Sequence, residues 1–201
     1  MAQAVVQLDR IVFHFINSRL SASSLDPVMR LISNQWFWWG VIFASLLGVL
    51  AMRKFSLVGV WLACVLAVGL SDATATYVLK PWVARPRPCH ALPNVRIETA
   101  CVSPYGFPSN HAANGMALFA VSASALPVPL RIATAIAVLA VGFSRVYLGV
   151  HYPGDVLAGF FLGGLIGLLV TRLACVLRLG LARFRGSEHV ALDRSANRFQ
   201  L

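Results

Sequence analysis

Five long apolar runs, at residues 36–52, 55–79, 111–126, 130–150 and 155–177, leave this chain few ways to fold. A helix needs about 17 to 25 mostly apolar residues to cross a bilayer, and helices and closed barrels are the only shapes that satisfy every backbone N–H and C=O within hydrocarbon. The third run is short, so its ends are the least defined. The connections between runs are brief, which packs the five as one bundle rather than as separate domains. The composition, 58% hydrophobic and 12% charged, sets a water-soluble domain aside. The expected fold is all-α, a polytopic membrane helical bundle of five to six transmembrane helices in one domain over residues 1–186. Residues 187–201 are polar and mixed in charge, and read as a flexible cytoplasmic tail.

The N-terminal stretch shows no cleavable signal pattern, since Asp9, Arg10 and Arg19 interrupt its apolar residues. Val5, Val6, Leu8, Ile11, Val12, Phe15 and Ile16 recur at roughly helical spacing with charges between them. That pattern predicts an amphipathic helix lying in the membrane interface. A sixth span over this region is the alternative. His14, within it, reads as an ordinary interfacial residue.

A formal net charge of +10 raises nucleic acid as a partner, but the cations form no single stripe interleaved with aromatics. They fall into two groups instead. Arg53, Lys54, Arg131, Arg172, Arg178, Arg183 and Arg185 share one side if the spans alternate, and the positive-inside rule makes that side cytoplasmic. Lys80, Arg85, Arg87, Arg96, Arg145 and His151 then lie on the extracytoplasmic side, where surplus positive charge needs another reason. An anionic ligand supplies one. Cys89 and Cys101 bracket the long polar loop on that side, where a disulfide would close a short loop and contribute about 2 to 3 kcal/mol. Two free thiols remain the alternative. Cys64 and Cys175 sit inside apolar runs as packing residues.

Three polar clusters interrupt the apolar pattern. The first, Lys80 to Pro88, holds three prolines and predicts a stiff extended segment that folds Lys80 and Arg87 back over the bundle. Arginine offers a planar fork of donors to phosphate oxygens and lysine a compact charge. In the second, Pro108-Ser109-Asn110-His111, Ser109 is a candidate N-cap, and the backbone N–H groups of Asn110, His111 and Ala112 stand free at a positive helix end suited to phosphate. His111 in that first turn can hand a proton to a leaving oxygen. The third runs from Ser144-Arg145 to His151 and Asp155, with Pro153 at the start of the last helix. Arg145 falls inside its helix and should face a polar bundle interior. Asp155, four residues past His151, can accept from one ring nitrogen and leave the other as a nucleophile. Each cluster alone also reads as juxtamembrane cations, a capping serine or a structural histidine. Alternating spans bring all three to one membrane face.

With only seven acids, and only Glu98 and Asp155 placed on that face, the chain lacks the carboxylates a two-metal phosphatase uses. The expected chemistry is therefore phosphoryl transfer with no metal and no cofactor. Asp72, in the run 55–79, is equally a functional acid or a buried partner for a cation such as Arg145. Asn114 can hydrogen-bond in the site or between helices, and Trp36, Trp38 and Trp39 read as an aromatic belt with no recognition role.

Lys80, six residues, then Arg87-Pro88; Pro108-Ser109-Asn110-His111; and Ser144-Arg145, five residues, His151, three residues, Asp155: in this order and spacing the chain resembles the type 2 phosphatidic acid phosphatase (PAP2) superfamily of membrane lipid phosphatases. One departure is visible, Asn110 where the family's second motif commonly has glycine. The resemblance implies a PAP2/haloperoxidase-like bundle in which His151 attacks phosphorus to give a phosphohistidine and Asp155 orients it. It further implies that His111 protonates the leaving group and then activates water, while Lys80, Arg87, Ser109, Asn110 and Arg145 hold the phosphate. Arg85 lies outside the motif and is left to attracting anions. The implied partner is a lipid-linked phosphate among membrane lipids, at the periplasmic face of a bacterial inner membrane. Undecaprenyl diphosphate leads as substrate, followed by phosphatidylglycerophosphate, phosphatidate and a phosphate of lipid A. Rival readings are a lipid phosphotransferase, an anion or lipid transporter, and, least favoured, a haloperoxidase. Nothing in the sequence bears on the oligomeric state.

Overall fold

The computed structural model describes the backbone of residues 2–197 and the side chains of residues 3–177. Helix α1 (Ala2–His14) widens into a π-helical turn (Phe15–Arg19), followed by α2 (Asp26–Ser33), α3 (Gln35–Ala51) and α4 (Val58–Ala73). A second π-helical stretch (Thr74–Leu79) leads into the short α5 (Lys80–Val83), then come α6 (Pro88–Ala91), α7 (Asn110–Ser122), α8 (Val128–Tyr147) and α9 (Pro153–Asn197). Among the described residues there is no strand, only an isolated bridge between Pro86 and Tyr105. The expected tail, 187–201, lies outside the residues whose side chains are described.

Three segments are long and apolar enough to cross a membrane: Phe55–Val83, Val128–Tyr147 and Pro153–Leu177. The pair Asp26–Ser33 and Gln35–Ala51, bent by 57°, adds a fourth if the two make one span. The expected count of five to six is not reached on these criteria. Helix α7 has 13 residues, a length of about 20 Å against about 30 Å of hydrocarbon. It ends at Ser122 because Pro127 and Pro129 follow closely, and proline disfavours helix in the residue before it.

The centre of the bundle is the seam between α7 and α9. Gly159, Gly163 and Gly167 recur every four residues and so share one face of α9. A Cβ at Gly159 would stand 2.6 Å from the Ser109 carbonyl, one at Gly167 2.8 Å from the Ala117 carbonyl, and one at Gly163 would collide with that of Ala113. Opposite them Ala112, Ala113 and Ala117 are fully buried. Small residues on both helices let the backbones approach, which is how helices associate where lipid removes the hydrophobic drive. Gly142 plays the same part between α8 and α9, facing Val156 and Phe160.

The N-terminal region is bound to the bundle at its inner face. Phe13 packs with Ala112, Val146, Tyr152 and Val156. Asn17, fully buried, donates to the carbonyls of Arg96 and Tyr147, both at 2.8 Å, and accepts from Arg96 N at 3.0 Å. Val5, Leu8, Ile11 and Phe15 stay exposed on the other face.

The proline-rich first cluster differs from the extended segment expected. The helix passes Lys80 and Pro81 to Val83 before Ala84 turns left-handed (φ 49°, ψ 31°), and only then does the chain run extended. A proline inside a helix removes one N–H and crowds the preceding turn. The wider π-helical turn at Thr74–Leu79, just before Pro81, accommodates that defect. Cys89 and Cys101 are joined by a disulfide.

Candidate active site

The segment beyond Ala84 brings the first motif over the ends of α7 and α9. Arg87 N donates to Pro104 O at 3.2 Å and Gly106 N to Arg85 O at 2.9 Å, so two loop strands hold each other. Ser109 N in turn donates to Asp155 O at 2.9 Å, which ties the start of α7 to the first turn of α9. Arg87 is 7% exposed and points Nη1 at Val150 O (3.1 Å) and at His151 Nε2 (3.0 Å). Burial pulls this guanidinium down from its ordinary pKa, and the Asp155 charge works against that pull.

His151 lies between α8 and α9, 2% exposed. Its Nδ1 is 3.5 Å from Asp155 Oδ2, so the carboxylate addresses one ring nitrogen while Nε2 faces Arg87. Burial, reinforced by Arg87, Arg145 and Lys80, holds the imidazole well below its ordinary value of 6.5. That shift favours the neutral ring, whose Nε2 lone pair a nucleophile needs. Asp155, fully buried, also accepts from Tyr152 N at 3.0 Å.

Lys80, Arg87, Asn110, His111, Arg145 and His151 line one cavity of about 780 Å³. Three motifs spread over residues 80–155 of the sequence thus meet at one place. Ser109 sits just behind, at the N-cap position of α7, fully buried and with no hydrogen bond from its hydroxyl. Among the described residues, buried side-chain atoms without a partner include Arg87 Nε, Ser109 Oγ, Arg145 Nε and His151 Nδ1. Asn110 instead gives its amide to Asp72 Oδ1 and Thr76 Oγ1, each at 2.8 Å. What it can offer an anion is its backbone N–H.

Several neighbours escaped the sequence reading. Arg145 Nη1 donates to Ser33 Oγ, at the break between α2 and α3. Asp72 does not pair with Arg145; it lines the cavity and accepts from Asn110 and, at 2.9 Å, from Asn114. Trp38 and Trp39, read as a belt, line the cavity too, while Trp36 remains 74% exposed. Trp38 Nε1 donates to Ile32 O at 2.6 Å, turning the ring inward. Arg85 does not stand free for anions: it pairs with Asp155 and Asp9 at 2.8 and 2.6 Å. Glu98 lies outside the cavity, paired with Arg30 and, at 3.2 Å, with Arg96. These partners lie far off in sequence or outside any motif, so spacing gave no signal for them.

Ligand atoms of Cys89, His90 and Cys101 lie within 4.8 Å of one another, but the two sulfurs are spent on the disulfide. Asp72 is the one acid among the cavity's lining residues, a poor donor set for paired divalent ions.

The cavity has cations and imidazoles at one end, and Ile42, Val65, Val68, Leu118, Val138 and Val141 along its sides. The sequence profile described as "PAP2 superfamily" matches residues 60–176, which include all three motifs. The chain belongs to the PAP2 superfamily. A decaprenylphosphoryl-5-phosphoribose phosphatase of Mycobacterium tuberculosis is 34% identical over 133 residues, 65% of this chain and 70% of the relative. Phosphatidylglycerophosphatase B of Bacillus subtilis is 42% identical over 111 residues, about half of each chain. Among solved structures, a transmembrane PAP2-type phosphatidylglycerolphosphate phosphatase from Bacillus subtilis superposes with a TM-score of 0.67 at 30% identity, covering 85% of this chain and 86% of its own. This PAP2 protein is accordingly a membrane protein and a phosphatase, and the open questions are its substrate and the role of each residue.

Proposed function

We propose that this PAP2 phosphatase removes phosphate from a lipid-linked phosphate or diphosphate without a metal, through a phosphohistidine at the extracytoplasmic face of a bacterial inner membrane. The observation that carries this is the cavity itself: Lys80, Arg87, Arg145, His111 and His151 share it with apolar side chains such as Ile42, Val65, Val68, Leu118, Val138 and Val141. Such a chamber suits a ligand with an anionic head and a hydrocarbon tail.

Lys80, Arg87, Arg145 and the backbone N–H groups at the start of α7 spread the charge on the three non-bridging oxygens. The Nε2 lone pair of His151 forms the N–P bond as the P–O bond to the lipid breaks. The electron pair of that bond goes to the leaving oxygen, which takes a proton from His111. His111 then removes a proton from water, the new P–O bond forms, and the N–P pair returns to Nε2 as phosphate departs. Asp155 holds the ring so that Nε2 faces phosphorus. Ser109 contributes its free hydroxyl to the phosphate, and Asn110 its backbone N–H.

The positive-inside rule, applied to Arg53, Lys54, Arg131 and Arg172, supports an extracytoplasmic site. In the same arrangement α3 and α7 complete a five-span bundle, and α1 lies in the interface with Val5, Leu8, Ile11 and Phe15 toward lipid. Residues 1–186 form the single domain and 187–201 its cytoplasmic tail. Undecaprenyl diphosphate is the leading substrate: the apolar side chains of the cavity suit a polyprenyl chain, and Lys80, Arg87 and Arg145 supply three cations for its two phosphates.

The test is phosphate release by purified protein from undecaprenyl diphosphate, phosphatidylglycerophosphate, phosphatidate and lipid A, with and without EDTA. The expected result is preference for the diphosphate, activity that survives EDTA, and a loss of at least about 10³-fold in His151→Ala. Wild-type-like release by His151→Ala would rule out the phosphohistidine, and a loss in EDTA restored by a divalent ion would rule out the metal-free route.

A further inference from the structure

The carboxylate that addresses His151 has a second, stronger partner. Arg85 Nη1 donates to Asp155 Oδ1 at 2.8 Å, and its Nη2 donates to Asp9 Oδ2 at 2.6 Å. Asp9 belongs to α1, outside residues 60–176, and its other oxygen accepts from Gly154 N at 2.7 Å. The guanidinium lies 4.2 Å from the centroid of the Tyr152 ring, so it is gripped from three sides. Glycine makes the room: a Cβ at Gly106 would stand 2.8 Å from Asp155 Oδ2, and one at Gly154 would stand 2.9 Å from Asp9 Oδ2. The result is a continuous chain of contacts, Asp9 to Arg85 to Asp155 to His151, running from the N-terminal helix to the ring.

We infer that Arg85, held from behind by Asp9, is a positioning residue that keeps the Asp155 carboxylate turned toward His151 Nδ1. The inference rests on the phosphohistidine reading. A fully buried carboxylate is costly to keep charged without a cation beside it. Arg85 reduces that cost, but a lone guanidinium would also cancel the negative charge that His151 needs as its Nε2 binds phosphorus. Asp9 offsets that by placing a second carboxylate on the same guanidinium. The other groups facing this chain are Arg87 on the His151 side, and Tyr152 and Arg10 on the α1 side. Partners that orient a primary functional group commonly matter by about 10 to 100-fold.

The test uses full-length protein in detergent micelles, with phosphatidate and farnesyl diphosphate as probes, and reads kcat, KM and the pH profile. Arg85→Gln should lose about 10 to 100-fold in kcat with KM nearly unchanged, and its acid limb should move to higher pH because Asp155 protonates sooner. Arg85→Lys should recover most of the rate. Asp9→Asn should lose less, and its acid limb should move to lower pH, since the unbalanced Arg85 charge now disfavours protons on Asp155 and His151. Opposite shifts are not produced by loss of packing. Wild-type kcat and pH profile in Arg85→Gln, or equal losses in the Gln and Lys variants with unmoved limbs, would overturn the inference while leaving the phosphatase reading intact. If Arg85→Gln does not fold, the Asp9→Asn limb decides alone. A wild-type protein inactive on these probes and on the four lipids named above removes the proposed reaction and this inference with it.

Discussion

Helices α7 and α9 meet backbone to backbone, whereas α3 runs its 17 residues without burying one of them. The first pair carries Ser109, His111 and Asp155, the groups whose mutual placement the chemistry depends on. The second region supplies Trp38 and Trp39 to the cavity wall and leaves its other faces to lipid. Groups that must stay in register are mounted on a seam too tight to slide, and the wall facing a variable hydrocarbon chain is mounted on a helix with few constraints.

The contrast can be broken most directly with a side chain. Gly163→Leu should prevent folding, since a Cβ there already collides with Ala113, while Gly40→Leu in α3, with nothing within 4 Å, should change stability by less than about 0.5 kcal/mol. Size-exclusion profiles and thermal unfolding in detergent would compare them, and a well-folded Gly163→Leu protein would refute the seam. Arg145→Lys keeps a charge but loses the planar fork, and should lower kcat about 10 to 100-fold and weaken inhibition by vanadate in parallel. Unchanged vanadate inhibition would remove Arg145 from the phosphate end.

Trp38→Ala tests the looser wall. It should raise KM several-fold for a long-chain lipid phosphate and leave a short-chain phosphate ester nearly unaffected. Equal effects on both would mean that the ring serves only to hold α2 to α3. The smallest expected change concerns pH. With His151 held well below 6.5 by burial and the neighbouring cations, its protonation should not reduce kcat/KM as pH falls from 8 to 6.5. A midpoint near 6.5 that disappears in a variant retaining His151 would point to another group, and one that follows His151 would contradict its environment.

How much of this could be read from the chain follows from range. The apolar runs and three motifs are local patterns, and each carries its own signal: Lys80 before prolines, Ser109 before an apolar helix, Asp155 four residues past His151. The shared cavity followed from the alternation of spans. The contacts that complete it are not local. Ser33 is 112 residues from Arg145 and Asp9 is 76 from Arg85, and a lone serine or aspartate in an N-terminal stretch resembles any other. Trp38 and Trp39 line the cavity while Trp36 stays exposed, a difference set by which way the helix is rotated and not by composition. The length of α7 was overestimated because hydropathy continues across residues 123–126, where the helix has already ended.

The bond from Arg145 to Ser33 joins the two halves of that comparison. Ser33 occupies the bend where α2 gives way to α3, so this wall hangs from the same arginine that borders the anionic end. Any swing of that wall to admit a bulky tail must tug on the guanidinium, and any ligand that draws the guanidinium away must slacken the wall. Head and tail of a bound lipid are thereby made to report on each other through a single hydroxyl.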